Sequence, residues 1–282
     1  MDLEAYLREK REMVEEALQR YLPQEDAIPS QLPKAMRYSV FTGGKRIRPV
    51  LMLAACEAVG GDPRKALPFA CALEMIHTYS LIHDDLPAMD DDDFRRGFAT
   101  SHRVFGEAMA ILAGDALLTE AFRLMASPEA RGELPEGLVL EVIADIAQAA
   151  GVTGMVGGQA LDVESEGRDV NLKTLRWIHH HKTAAMISVA VRTGAKIGGA
   201  TPEELEALER YGEAIGLAFQ VVDDILDVEE EKAATYPRVV GLSEAKREAE
   251  RLLQEALEAL EPLRERSEPL QAIAQFIVER SF

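Results

Sequence analysis

The chain has 282 residues, 47% of them apolar, enough for a large core in one or two domains. Asp and Glu number 49 against 31 Lys and Arg, a net charge of −18, which excludes a duplex-binding surface because phosphate contacts need a basic patch. It leaves room for a small anionic substrate held by a few local arginines and lysines.

Met1-Asp2-Leu3-Glu4 has neither a basic nor an apolar leader region, so no signal peptide is expected. No run of about 18 apolar residues stands out, so no membrane span is expected either. Cys56 and Cys71 sit in apolar helical context and are expected as buried thiols in a reducing, cytoplasmic setting.

Residues 2–20 read as a charged amphipathic helix, and Pro23 to Pro29 as a linker. Ser30 is placed to cap a helix carrying Met36, Val40 and Phe41, which Gly43-Gly44 ends. Lys45-Arg46-Ile47-Arg48 follows, and Pro49 is expected to open the next helix, which runs to about Val59. Three cations at a helix N-terminus make a candidate anion site. After the Gly60-Gly61-Asp62-Pro63 turn, residues 64–85 read as a long apolar helix with His77 and Asp84 on one face. Residues 91–103 read as a polar loop holding Arg95, Arg96 and His102, followed by helices at 104–126, 136–150 and 152–164. One helix is expected over 172–198, including His179-His180-His181-Lys182-Thr183. Another begins at Thr201-Pro202-Glu203-Glu204 with a cap, an early proline and first-turn acids, and runs to about Glu230. Helices at 242–260 and 268–280 complete an all-α chain, since no stretch sustains strand-type alternation.

Two acidic knots interrupt apolar helix. Residues 84–93 hold six aspartates in ten positions, and Asp223-Asp224-Ile225-Leu226-Asp227 lies far along the chain. Buried carboxylates are costly unless paired or bound to metal. Asp84 and Asp90 diverge on an ideal helix, and a break at Pro87 would let Asp90 swing back to share a metal with Asp84. Asp91, Asp92 and Asp93 read as solvated followers. Oxygen-only acids suit Mg²⁺ or Mn²⁺ completed by substrate phosphates, and the basic residues Lys45, Arg48, Arg95, Arg96 and Lys182 suit a di- or triphosphate. The three histidines at 179–181 point about 100° apart on a helix and are not expected to converge on one ion. Taken alone, His77 reads as a core histidine.

The segments Gly43-Gly44-Lys45-Arg46-Ile47-Arg48-Pro49, Leu81-Ile82-His83-Asp84-Asp85-Leu86-Pro87-Ala88-Met89-Asp90, Arg95-Arg96-Gly97, Gly158-Gln159-Ala160-Leu161-Asp162, Lys182-Thr183 and Phe219-Gln220-Val221-Val222-Asp223-Asp224-Ile225-Leu226-Asp227 resemble the motif set of the trans-isoprenyl diphosphate synthases. Within that family the chain most resembles bacterial farnesyl diphosphate synthases. The resemblance implies a single helical domain over residues 1–282, with about ten core helices around a deep cavity, usually as a homodimer. It implies three Mg²⁺, with Asp84 and Asp90 holding two and Asp223 the third. Arg95, Lys182 and Gln220 would contact the allylic diphosphate. Lys45, Arg48, His77 and Arg96 would hold isopentenyl diphosphate, and Asp85, Asp224 and Asp227 would be supporting acids. The implied reaction ionises dimethylallyl or geranyl diphosphate, stabilises the cation through the Lys182 carbonyl, Thr183 and Gln220, and forms farnesyl diphosphate. By the same resemblance Tyr79, with its neighbour Ser80, sets a C15 product length.

Two departures stand out. Phe98-Ala99 stands where the family commonly has Lys-Pro. The segment after Asp227 reaches Thr235-Tyr236-Pro237 with Ala233 where the family has a lysine, and Lys232 one place away. A geranylgeranyl product, a catalytically weak partner subunit and a metal-dependent phosphohydrolase are the alternatives.

Overall fold

The computed structural model describes residues 1–168, 170–226 and 235–279. Asp227, Lys232, Ala233 and Arg280 therefore lie outside the described residues. Among the described residues the fold is all-α, as expected, apart from one two-stranded hairpin of two residues a side.

The helices begin α1 (Leu3–Tyr21), α2 (Gln31–Phe41), α3 (Ile47–Ala58) and α4 (Pro63–Asp84). Ser30 makes no side-chain cap to α2, and α3 starts two residues before Pro49. Proline is tolerated there because the first-turn N–H groups have no intrahelical acceptor. The polar loop expected over 91–103 contains strands β1 (Phe94–Arg95) and β2 (Phe98–Ala99), then α5 (Ser101–Phe105). The hairpin turns on Arg96 and Gly97, at φ 53° and 82°, because two left-handed residues match the twist of the flanking strands. Next come α6 (Glu107–Met125), α7 (Pro128–Arg131), α8 (Glu136–Ala150) and α9 (Met155–Ser165).

The helix expected over 172–198 is three pieces: α10 (Leu172–Ile178), a π-helical turn (His179–Ala184) and α11 (Ala185–Gly198). Then follow α12 (Pro202–Leu226), α13 (Tyr236–Val240), α14 (Leu242–Ala259), a 3-10 segment (Glu261–Ser267) and α15 (Glu268–Glu279). The Thr201 cap is realised as a reciprocal box. Thr201 Oγ1 accepts from the Glu204 N–H (3.2 Å), and Glu204 Oε2 accepts from the Thr201 N–H (2.9 Å).

The chain divides into two compact units. The first comprises Met1–Tyr6, Leu51–Ala66 and everything from Ala144 onward. Its centre is α12, whose Leu208, Tyr211, Ile215, Val222 and Ile225 recur at helical spacing and are buried. Gly212 and Gly216 let α12 approach its neighbours closely, since a Cβ at Gly216 would stand 2.9 Å from the Ala184 Cα. The second unit comprises Leu7–Val50 and Leu67–Ile143. Val14, Ala17 and Leu18 of α1, Met36 and Val40 of α2, and Phe69, Leu73 and Ile76 of α4 are buried there.

Cys56 and Cys71 are buried free thiols, and burial pushes Cys56 up to about 12. The sequence reading undercounted one apolar stretch. Glu136–Ser165 is long and apolar enough to cross a membrane by length and composition, with mean hydropathy 1.5. A turn at 151–154 interrupts it between α8 and α9. One such stretch is weak evidence for a span, because core helices pass the same test.

Candidate active site

The first knot forms where α4 stops. Pro87 lacks an N–H and its ring would meet the carbonyl of residue 83, so the helix ends at Asp84 and the chain turns tightly. Leu86 donates to the His83 carbonyl (3.2 Å) and Met89 to that of Leu86 (2.8 Å). The Asp90 N–H closes the turn on the Asp84 carbonyl at 2.9 Å. The backbone of Asp90 thus returns to Asp84, the chain reversal expected at Pro87. Asp84 is half-buried and Asp90 exposed. Asp85 points the other way, buried, and accepts from Arg95 Nε. Burial raises its carboxyl pKa, while Arg95 pulls it down.

Of the three followers, Asp91 is exposed at φ 54°, and Asp93 pairs at 3.1 Å with exposed Arg103. Asp92 departs from the solvated expectation: it is half-buried and its Oδ2 accepts from Arg95 Nη2 (3.2 Å).

The basic residues of the second unit sort by direction. Arg46, central in the Lys45–Arg48 run, turns inward at φ 53°, donates to Glu74 at 2.8 Å and is buried with it. It holds the loop and is not available to a ligand. Lys45 is exposed, and Arg48 Nη1 lies 3.4 Å from His77 Nε2. Arg96 donates to the Gly43 carbonyl across the open face of Gly44, where a Cβ would stand 2.4 Å from Arg96 Nη1. The hairpin turn therefore sends adjacent arginines to different places, Arg95 to Asp85 and Arg96 to the glycine loop. Ser80 Oγ donates to the His77 carbonyl (2.9 Å), a bond within its own helix. Tyr79 is buried, with its ring edge-on to His83 at 5.7 Å.

Burial, then Arg48 and Arg96, hold His77 well below the ordinary histidine range. Only the unfolded chain then takes up a proton near pH ~6.5, so this contribution to stability is whole above that value and is lost as pH falls below it. We expect His77→Asn to flatten the fall in unfolding free energy between about pH 7.5 and 5.5, measured by urea denaturation at each pH.

In the first unit the π-helical turn carries Lys182 and Thr183. The Ala185 N–H reaches back five residues to the His180 carbonyl, and such turns cluster at functional sites. Lys182 Nζ donates to Asp162 Oδ2 at 2.6 Å, which joins the Gly158–Asp162 motif of α9 to the turn. Gly158 packs against the Lys182 backbone. Thr183 is half-buried. On α12, Gln220 Nε2 donates to buried Asp224 Oδ1 at 3.0 Å, while Asp223 is half-buried. The three histidines do not gather at one point, as their spacing required, although the His180 and His181 rings meet edge-on at 4.9 Å. His179 is buried 3.2 Å from Asp224 Oδ2, His180 is exposed, and His181 stacks on Trp177 at 3.8 Å.

The second unit therefore gathers Asp84 with Asp90, Arg48 with His77, and Arg96 with the loop before Lys45. The first unit gathers Lys182, Thr183, Gln220 and Asp223 on the π-helical turn and α12. Sequence reasoning did not single out the Lys182–Asp162 pair, the burial of His179 or the inward turn of Arg46. A glutamate inside apolar α4, at Glu74, was the available signal for Arg46.

Among the described residues no three His, Cys, Asp or Glu side chains converge as a ready-made metal cluster. Accessible carboxylates presented singly or in pairs fit a hard divalent ion that keeps waters and takes further oxygens from substrate phosphates.

The sequence pattern of the polyprenyl synthetase family matches residues 29–260. A farnesyl diphosphate synthase of Geobacillus stearothermophilus is 50% identical over 260 residues, covering 87% of each chain. A geranylgeranyl diphosphate synthase of Cyanophora paradoxa is 46% identical over 295 residues, covering 99% of this chain and 97% of that one. The solved structure of an FPP/GFPP synthase from Zymomonas mobilis superposes with a TM-score of 0.92 at 36% identity, covering 98% of this chain and 99% of that one.

Proposed function

The chain belongs to the polyprenyl synthetase family of trans-prenyl diphosphate synthases, which use divalent metal ions, and from that premise we propose that it makes farnesyl diphosphate. In this reading it condenses isopentenyl diphosphate with dimethylallyl or geranyl diphosphate, using Mg²⁺ as the ion. The observation that carries it is the turn in which the Asp90 N–H closes on the Asp84 carbonyl, placing two accessible acids at the mouth of an apolar helix.

Asp84, Asp90 and Asp223 are the residues to hold the metal, with three ions as the expected number. Bound there, the ions would supply Lewis-acid stabilisation of the departing diphosphate. Arg95 and Lys182 bind the allylic diphosphate, exchanging their bonds to Asp85 and Asp162 for phosphate oxygens. Lys45, Arg48, His77 and Arg96 bind isopentenyl diphosphate. A neutral His77 serves there as a hydrogen-bonding partner, and the charge comes from the arginines. The Lys182 carbonyl, Thr183 and the Gln220 oxygen orient their negative ends toward the allylic cation. Apolar walls exclude water, which would otherwise capture the cation as an alcohol. The released diphosphate takes the proton, so no side-chain base is needed.

A homodimer in a reducing cytoplasm completes this reading. Exposed Ile111 and Leu112 on α6 support pairing, and the buried free cysteines suit that compartment.

The buried Tyr79 ring supports the C15 length. Replacing it by Ala removes the ring, and the expected result is a shift from C15 toward C20 diphosphate in radiolabelled product analysis. An unchanged C15 product would take Tyr79 out of the length determination.

A geranylgeranyl product is the second reading, favoured by the C20-named relative at similar identity. The deciding assay combines purified protein, Mg²⁺ and labelled isopentenyl diphosphate with each allylic primer in turn. A C15 diphosphate supports the proposal and a C20 diphosphate the second reading. No turnover points to a partner subunit, and inorganic phosphate alone overturns prenyl transfer.

A further inference from the structure

Asp224 is a buried carboxylate where α12, the π-helical turn and α13 meet. Its Oδ2 accepts from the Tyr236 backbone N–H at 2.6 Å and lies 3.2 Å from His179 Nε2. Its Oδ1 accepts from Gln220 Nε2 at 3.0 Å. His179 and Asp224 are 5% and 7% exposed, so water does not substitute readily for either partner. The Tyr236 ring faces the imidazole at 6.2 Å, and its hydroxyl accepts from Arg176 Nη2 at 2.8 Å.

The chemistry of this node fixes the orientation of an amide. A carboxylate only accepts hydrogen bonds, so the group that Gln220 turns toward it must be its NH₂. The Gln220 oxygen is thereby turned away from Asp224. His179 Nε2 lies 3.2 Å from the same carboxylate, so His179 is the side chain that braces Asp224 from the π-helical turn.

We infer that His179 is a positioning residue for prenyl transfer, acting through Asp224 to keep the Gln220 amide oxygen turned outward. The inference rests on the proposed function only in giving Gln220 a substrate-facing role. The position of the amide is a separate matter and can be tested without turnover.

The test uses the full-length protein and two variants. His179→Phe keeps the ring volume against Tyr236 and removes the ring nitrogen beside Asp224, and His179→Gln restores a polar group there. In ¹⁵N-glutamine-labelled protein, with the Gln220 signal identified by its loss in Gln220→Ala, the parent's side-chain NH₂ should exchange slowly. His179→Phe should speed that exchange about tenfold or more, and His179→Gln should recover it. In the prenyl-transfer assay, kcat of His179→Phe should fall roughly 30-fold with KM for isopentenyl diphosphate unchanged, as a misplaced group produces. Added to Gln220→Ala, His179→Phe should cost little more, because the two act as one unit.

Unchanged exchange in His179→Phe overturns the inference, whatever the activity. So does a variant that only melts earlier, with kcat per folded enzyme intact, or a double variant whose losses multiply. Altered exchange in a protein without prenyl transfer would leave the amide device standing and remove the proposed function instead.

Discussion

Asp84→Asn should lower kcat by roughly three orders of magnitude, equivalent to about 4 kcal/mol of transition-state stabilisation. The fold should survive the change. The Asp84 backbone carbonyl accepts the Asp90 N–H at 2.9 Å, and asparagine keeps that carbonyl and the side chain's shape. What is lost is a negative oxygen at the end of α4. Asp90→Asn should behave alike, because the turn returns its backbone to that of Asp84. Asp91→Asn and Asp93→Asn are the controls and should stay within about threefold, since Asp91 is exposed and Asp93 answers only a surface arginine in a pair of small worth. Steady-state kinetics across a Mg²⁺ titration, with thermal midpoints alongside, check all four. A kcat for Asp84→Asn within tenfold of the parent would remove Asp84 from the chemistry.

Gly158→Ala should be strongly damaging to the first unit. A Cβ there would stand 2.3 Å from the Lys182 backbone nitrogen and 2.7 Å from its Cα, both backbone atoms with no rotamer to yield. Either α9 or the π-helical turn must move. Overpacking of this kind costs about 1–3 kcal/mol, and a displacement near 1 Å at Lys182 costs roughly another hundredfold in kcat. Gly212→Ala is the measured contrast, its Cβ meeting the Ser188 Cα at 3.0 Å, where a few tenths of an ångström suffice. Circular-dichroism melts and kcat should rank Gly158→Ala well below Gly212→Ala. Equal melting and activity for the two would mean the turn can slide without consequence.

Much of the architecture was legible because it follows from local rules. The reciprocal cap at Thr201 and Glu204, the turn at Gly60 and Gly61, and the chain reversal at Pro87 each depend on a few adjacent residues. The division of the acids at 84–93 was readable for the same reason, except at Asp92, whose partner Arg95 arrives by way of the hairpin. That hairpin was missed because two residues per strand are too few to show alternation, although Arg96-Gly97 is a turn pair. The start of α3 was placed two residues late because proline suits any of the first turn's positions. The inward turn of Arg46 could not be read from its neighbours Lys45 and Arg48, which have the same charge. Its contact with Glu74, 28 residues away, separates them. The site residues were found through their motifs, but the bonds that hold them, Lys182 to Asp162 and Gln220 to Asp224, come from packing.

The π-helical turn has a consequence for counting. From His179 to Ala184 the screw of the chain runs slower than 3.6 residues per turn, so one residue is taken up without advancing the pattern. A helical wheel drawn continuously from Leu172 to Gly198 is out of phase by about 100° once it passes Ala184. The faces of α10 and α11 keep separate clocks, and α11 buries Ile187, Ala190, Val191 and Ala195 on its own. In this segment one residue of chain length is worth more than any side chain: an insertion or deletion between 179 and 184 would rotate all of α11, leaving its composition untouched while turning its apolar face away from α12.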